Sequence, residues 1–346
     1  MTATLERKIH VTTPLPLRPN LEQYQNQAKD LLRAATSGDD AELERIHILA
    51  DAQLAIAREH SITSWSRFKR LIGLLEPFRA ALYPGDADAV RAMLDEAPEL
   101  AVCEPWPGAP GYKPIQGVSS GCVWHRPQQM QVAGMLADAG AEMDITIAAR
   151  AGLVERVRHM LDADPSLINA RDSAGRSAMY RAGCVFGIFH EGEAIVDLLL
   201  ERGAEPDFFV ACTFGMVEEV EKALAEDPSL AKGLDPDGMT SLHWAIRHRR
   251  CDGPQRPVAI TRLLLEAGVD VNAPNPTEEQ MQAIHHCGEW AAFVEQVDLL
   301  LEYGADINAA AGNDWTPLDY AMDRGRQEMA SHLEARGGRV SGKLSG

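Results

Sequence analysis

Apolar positions along the chain fall into short helical stripes, interrupted by glycine, proline and acidic residues. Asn20 stands before a periodic run through Leu31, Leu32 and Ala35, with Gln23 three residues on, the mark of a capped helix start. A second helical stretch is expected at roughly 41–60. A third begins near Ser64, where Trp65, Phe68, Leu71 and Leu75 share one face at 3.6-residue spacing. Residues 1–20, with Pro14, Pro16 and Pro19, read as extended. Between Ala141 and Leu161 the pattern becomes a pair. A short helix of small residues (Ile147, Ala148, Ala149) turns at Gly152 into a second helix whose Val154, Val157 and Leu161 form one stripe.

This pair returns at an offset of 63 residues. Val154-Glu155, Val157, Leu161 and Asp164-Pro165-Ser166-Leu167 are matched by Val217-Glu218, Val220, Leu224 and Asp227-Pro228-Ser229-Leu230. Gly140-Ala141-Glu142, Ala148 and Gly152 are matched by Gly203-Ala204-Glu205, Ala211 and Gly215, and Asp172 and Gly175 by Asp235 and Gly238. Self-similarity at a fixed period implies stacked units, each sheltering the apolar face of the next. Gly140, Gly203, Gly268, Gly304 and Gly337 follow second-helix stripes, where a left-handed cap favours glycine. At 164–167 and 227–230 an Asp-Pro step ends the helix instead, because the residue before proline resists the α conformation.

Thr316-Pro317-Leu318-Asp319-Tyr320-Ala321, Ser241-Leu242-His243-Trp244-Ala245 and Ala283-Ile284-His285 resemble the ankyrin T-P-L-H-x-A motif. Leu263 to Asn272 and Leu299 to Asn308 resemble the second helix and following turn of the same repeat. Aligned on the histidine slot, the units give Gln116, Thr146, Tyr180, Phe209, His243, His285 and Asp319, spaced 30, 34, 29, 34, 42 and 34 residues apart. An ankyrin unit spans about 33 residues. The resemblance implies an all-α fold, an ankyrin-repeat solenoid of about eight helix–turn–helix units over 78–338. An earlier unit around Ala80-Ala81 and Val90 to Leu94 is degenerate. Residues 21–77 would form an N-terminal helical cap, similar to those of bacterial ankyrin proteins, and 339–346 a flexible tail. It also implies that His243 and His285 are structural, bonding backbone and neighbouring units.

The formal charge of −18, from 51 acidic and 33 basic side chains, argues against nucleic acid or an anionic membrane as partner. Six scattered cysteines without a C-x-x-C pair read as reduced thiols. Met1 to Asn20 lacks an apolar signal core and no stretch approaches 18 apolar residues, so the expected location is the cytoplasm. The phosphate-binding and hydrolase motifs of the Walker A, G-x-G-x-x-G, H-E-x-x-H and G-x-S-x-G types are not found.

Candidate chemistry sits in insertions. The post-helix glycine of an ankyrin unit follows the histidine slot by about 18 residues; here it comes 24 after Gln116, 23 after Tyr180 and 25 after His243. The extra residues fall between the two helices of alternate units and include Cys122, Trp124, His125 and Arg126; Phe186, Phe189, His190 and Glu191; and His248 to Asp252. One reading is a small-ligand or catalytic pocket of hydrolase or isomerase type lined by Trp124, His125, His190, Glu191, His248 and Glu289. The other is that the aromatic residues anchor longer loops and the polar ones face water. No cofactor or metal is expected. Cys122…His125 and His248…Cys251 have ligand-like spacing but stand 126 residues apart in different units, and Cys212 and Cys287 occupy small-residue slots.

The leading expectation is a monomeric, non-enzymatic module binding a protein partner. Its contact residues would be Tyr180, Trp244, His286 and Trp290 on first helices, with Arg176, Met239 and Trp315, beside Asp172, Asp237 and Asp314, at the tips between units. The basic run Arg247 to Arg250, with Arg256 and Arg262 nearby, reads as a solvated loop or a holder of phosphate or an acidic segment. The polar stretch 273–280 reads as an extended turn.

Overall fold

The structure, a computed structural model, describes residues 20–37, 48–82, 84–103, 113–119, 127–183, 189–247, 253–290 and 292–343. Among them regular structure is helical, and β pairing is confined to isolated bridges at Arg171–Ser177, Leu234–Thr240 and Asn275–Met281. The fold is all-α. It divides into two compact units, residues 1–167 with 184–195, and residues 168–183 with 196–346.

The first unit holds α1 (Leu21–Ser37), α2 (Leu49–Glu59), α3 (Trp65–Leu82), α4 (Ala87–Glu96), α5 (Pro114–Ser119), α6 (Pro127–Asp138), α7 (Ile145–Arg150) and α8 (Val154–Ala163). Asn20 starts α1 by accepting from the Glu22 N–H at 2.8 Å, and Asp144 starts α7 by accepting from the Ile147 N–H at 2.8 Å. The stretch expected from 41 is helical from Leu49, and 38–47 lie outside the described residues. The stripe of α3 behaves as its spacing demands: Phe68, Leu71 and Leu75 are buried, and Trp65 stacks on Phe68. Asp164 caps the turn after α8, accepting from the Ser166 N–H at 3.0 Å, and Pro165–Asn169 form a 3-10 helix.

The second unit holds α9 (Ala178–Gly183), the later part of α10 (Phe189–Glu201), α11 (Phe208–Thr213), α12 (Val217–Glu226), α13 (Ser241–Ile246), α14 (Gln255–Glu266), α15 (Ala283–Glu289), α16 (Val294–Glu302), α17 (Pro317–Asp323) and α18 (Gln327–Ala335). Here the repeat grammar becomes a stack. α9 packs on α11, α11 on α13, α13 on α15 and α15 on α17, while α12 packs on α14, α14 on α16 and α16 on α18. Short helices of small residues let the first row close up. At Gly288 the approach is so tight that a Cβ would overlap the carbonyl oxygen of Pro317. The second row buries Val220, Leu264, Leu300 and Leu333 completely or nearly so. The five helix-ending glycines all take positive φ, Gly304 at 90°.

Between helix pairs the chain makes fingers. In three of them the closing backbone bond spans four residues: Asp172 N–H to Arg176 O, Asp235 N–H to Met239 O, and Ala311 N–H to Trp315 O. The finger at 275–281 is two residues longer, with Asn275 N–H donating to Met281 O at 2.7 Å. Its length is accommodated by two consecutive left-handed residues, Glu279 (φ 47°) and Gln280 (φ 56°), a conformation side chains other than glycine seldom adopt.

The tail expected to be free from 339 is pinned at its start. The Arg339 N–H donates to Asn308 Oδ1 at 2.8 Å, its carbonyl accepts from Thr316, and the Ser341 N–H donates to Asp319. The last pair would otherwise leave these polar groups without a following finger.

Candidate functional site

In the second unit, histidine-slot side chains of α9, α13 and α15 reach forward to a later finger or turn. His243 Nδ1 accepts from the Thr240 N–H at 3.2 Å, and its Nε2 lies 3.3 Å from the Met281 carbonyl. His285 repeats the arrangement, with the Gln282 N–H at 3.0 Å and the Ala309 carbonyl at 2.9 Å. A carbonyl only accepts, so the proton belongs on Nε2 in both rings. Burial drives both pKa values down, that of His243 well below the usual range and that of His285 to about 4. Asp319 fills the slot in the last pair and accepts from the backbone N–H groups of Thr316 and Ser341.

Tyr180 fills the slot in α9. Its hydroxyl lies 2.8 Å from Asp235 Oδ2 and 3.0 Å from Asp237 Oδ2, and the Trp244 indole N–H donates to the same Asp235 oxygen at 2.8 Å. The two rings lie 5.2 Å apart. Asp235 also accepts from the backbone N–H groups of Asp237 and Met239, so this buried carboxylate is fully surrounded by donors. Arg176 pairs with Asp237 from finger to finger, and Arg181 Nε donates to Asp172 at 2.9 Å.

A second polar cluster lies under the long finger. Glu278 receives Arg247 Nη2 on Oε1 at 2.6 Å, and the Arg247 guanidinium also sits 5.0 Å over the Trp290 ring. Glu289 receives Arg324 Nη2 on Oε1 at 3.0 Å, and its carbonyl accepts from Arg326. Between the two carboxylates stands His286, fully buried, with Nε2 3.6 Å from Glu278 Oε2 and Nδ1 3.7 Å from Glu289 Oε2. Neither ring nitrogen makes a hydrogen bond. Burial lowers the His286 pKa against the pull of Glu289. Burial opposes ionisation of Glu289, yet His286 and Arg324 outweigh it and bring that carboxyl down to about 2. Glu279, beside Glu278, accepts from the Tyr320 hydroxyl at 3.1 Å and offers its carbonyl to the Gly312 N–H.

Residues 237–276 match the family model of the ankyrin repeat. The matched segment carries His243 and the helix-to-turn run ending in Asn272, the motifs in which the resemblance was read. The all-α fold is of the ankyrin-repeat type. No match to a curated protein is found.

Against this ankyrin frame several expected contact residues need correction. Tyr180, Trp244, Met239 and His286 do not face solvent; they are 2%, 4%, 5% and 0% exposed. Fingers cover them: Asp235 takes the Tyr180 hydroxyl and the Trp244 indole N–H, Met239 closes that same finger, and Glu278 of the long finger lies against His286. Arg176, Trp290 and Trp315 stay partly exposed, Trp315 packed edge-on against Tyr320. Asp172 and Asp237 are also partly exposed, and Asp314 is exposed, paired with Lys343. Arg247, read as the start of a solvated loop, is buried and ion-paired.

Of the alternative pocket, Trp124, His125 and His248 lie outside the described residues, as does the side chain of His190. Glu191 is partly buried in the first unit, next to Gly152, whereas Glu289 belongs to the second. Cys212 and Cys287 are buried, and burial pushes both thiols far above their usual range, as packing side chains in small slots require. Sequence reasoning missed Glu278, Arg247 and Arg324 as partners of His286 and Glu289. The signal available was the extended turn at 273–280.

Proposed function

We propose that this chain is a non-enzymatic ankyrin-repeat module, cytoplasmic and monomeric, that recognises a protein partner through its finger tips. In this reading 78–338 is the repeat array and 21–77 its helical cap. One observation carries it. Neighbouring fingers of the second unit are tied to each other and to the first helices by Arg176–Asp237, Tyr180–Asp235, Arg247–Glu278 and Tyr320–Glu279, while Ser173, Pro236, Thr277, Gln280 and Asp314 at the tips stay exposed. Side chains on a braced row lose little freedom on binding, which is the benefit of preorganisation. The contact surface is thereby moved from the first-helix aromatics to the tips, with the partly exposed Trp290 and Trp315 as the aromatic anchors.

The test places bulk on the tips without breaking any bond between fingers. Ser173→Arg combined with Gln280→Arg should abolish binding of a partner first recovered by cross-linking and then purified, while the far-ultraviolet circular dichroism spectrum stays unchanged. Retained affinity in that double variant would reject the tips as the binding surface.

A further inference from the structure

His286 presents a donor–acceptor problem. A neutral imidazole has one N–H and one lone pair, and both nitrogens here face carboxylate oxygens, which only accept. Whichever nitrogen lacks the proton therefore sets its lone pair against an anion, on a ring that is itself fully buried. A buried polar group without a partner calls for a missing partner. The partner that fits between a lone pair and a carboxylate is a cation.

We propose that Glu278, His286 and Glu289 form a binding site for a divalent transition-metal ion of the zinc type, at the base of the long finger. One ligand atom from each of the three lies within 4.8 Å of the other two. Bonds of about 2.0–2.2 Å from nitrogen and carboxylate oxygen require ligands roughly 3–4 Å apart, so the cage closes with a shift of about 1 Å. Each carboxylate already divides its oxygens in the way a site needs. Oε1 takes an arginine, Arg247 or Arg324, and Oε2 is turned to the imidazole. Glu278 Oε2 also accepts from Asn275 Nδ2 at 3.3 Å, which a second lone pair allows. A metal on one ring nitrogen takes up the lone pair that two carboxylates would otherwise leave unmatched. Glu278 is followed in the finger by two left-handed residues, Glu279 and Gln280. Because two guanidinium groups already balance the two carboxylates, the affinity should be below that of an all-cysteine structural zinc site.

The experiment uses the full chain stripped with chelator. Calorimetric titration with Zn²⁺ should show one equivalent bound, weakened at least about tenfold in His286→Ala and in Glu289→Gln, and Co²⁺ should give the visible absorption of a nitrogen- and oxygen-ligated ion of low coordination number. Where His286→Ala does not fold, Glu289→Gln and the Co²⁺ spectrum decide. Three results overturn the proposal: no stoichiometric uptake, uptake unchanged in Glu289→Gln, or a ¹⁵N spectrum showing His286 as an imidazolium at neutral pH without metal uptake, in which case a proton fills the gap.

Discussion

Tyr180 and Asp235 are joined by a hydrogen bond of 2.8 Å that crosses 55 residues of sequence, from a first helix to the finger of a later repeat. The position is one where the ankyrin motif carries histidine. Tyrosine does the same work with a longer lever, reaching a carboxylate where His243 and His285 reach a carbonyl.

Tyr180→Phe keeps the ring packed on Trp244 and removes only the hydroxyl. Hydrogen bonds to a charged group contribute about 1.5–3 kcal/mol, so urea denaturation should show a loss of that order. A midpoint equal to wild type would mean that Asp235 is satisfied by Trp244 and the finger backbone alone.

His285 makes stability depend on pH. Its folded pKa of about 4 lies below the unfolded value of 6.5, so between those limits the unfolded chain binds more protons. Stability is therefore full above pH 6.5 and falls as the pH drops towards 4, by on the order of 3 kcal/mol. Buried His243 acts in the same direction. Unfolding free energies of wild type and His285→Asn should thus converge between pH 7.5 and 4.5; a constant gap would rule out this titration.

Two glycine-to-alanine changes should have opposite signs. Gly288→Ala drives a methyl into the Pro317 carbonyl and the Ala321 N–H, both backbone atoms that cannot step aside, and should cost about 1–3 kcal/mol. Gly73→Ala, in the exposed interior of α3 with open space around it, should instead stabilise by about 0.5–1 kcal/mol. Thermal melts of the two variants, run side by side, check both.

The periodic pattern determined the repeating helix pairs, the glycines that end them and the Asp-Pro stops, while the resemblance to the ankyrin motif implied the bonding role of His243 and His285. The helix pairs and their ends are local matters: a 3.6-residue stripe, a left-handed cap and a capping side chain are decided by residues within a turn or two of one another. Tertiary structure alone decided which polar and aromatic side chains face inward. Tyr180, Trp244 and His286 read as surface anchors because a helical stripe does not show which side chains a finger will cover. Asp235 reaches Tyr180 from 55 residues on, whereas Trp244 is met by the same Asp235 from the finger before its own helix, and His286 by Glu278 from the longer finger at 275–281. Burial of a side chain depends on what the chain lays on top of it, and helix periodicity does not record where a finger folds back.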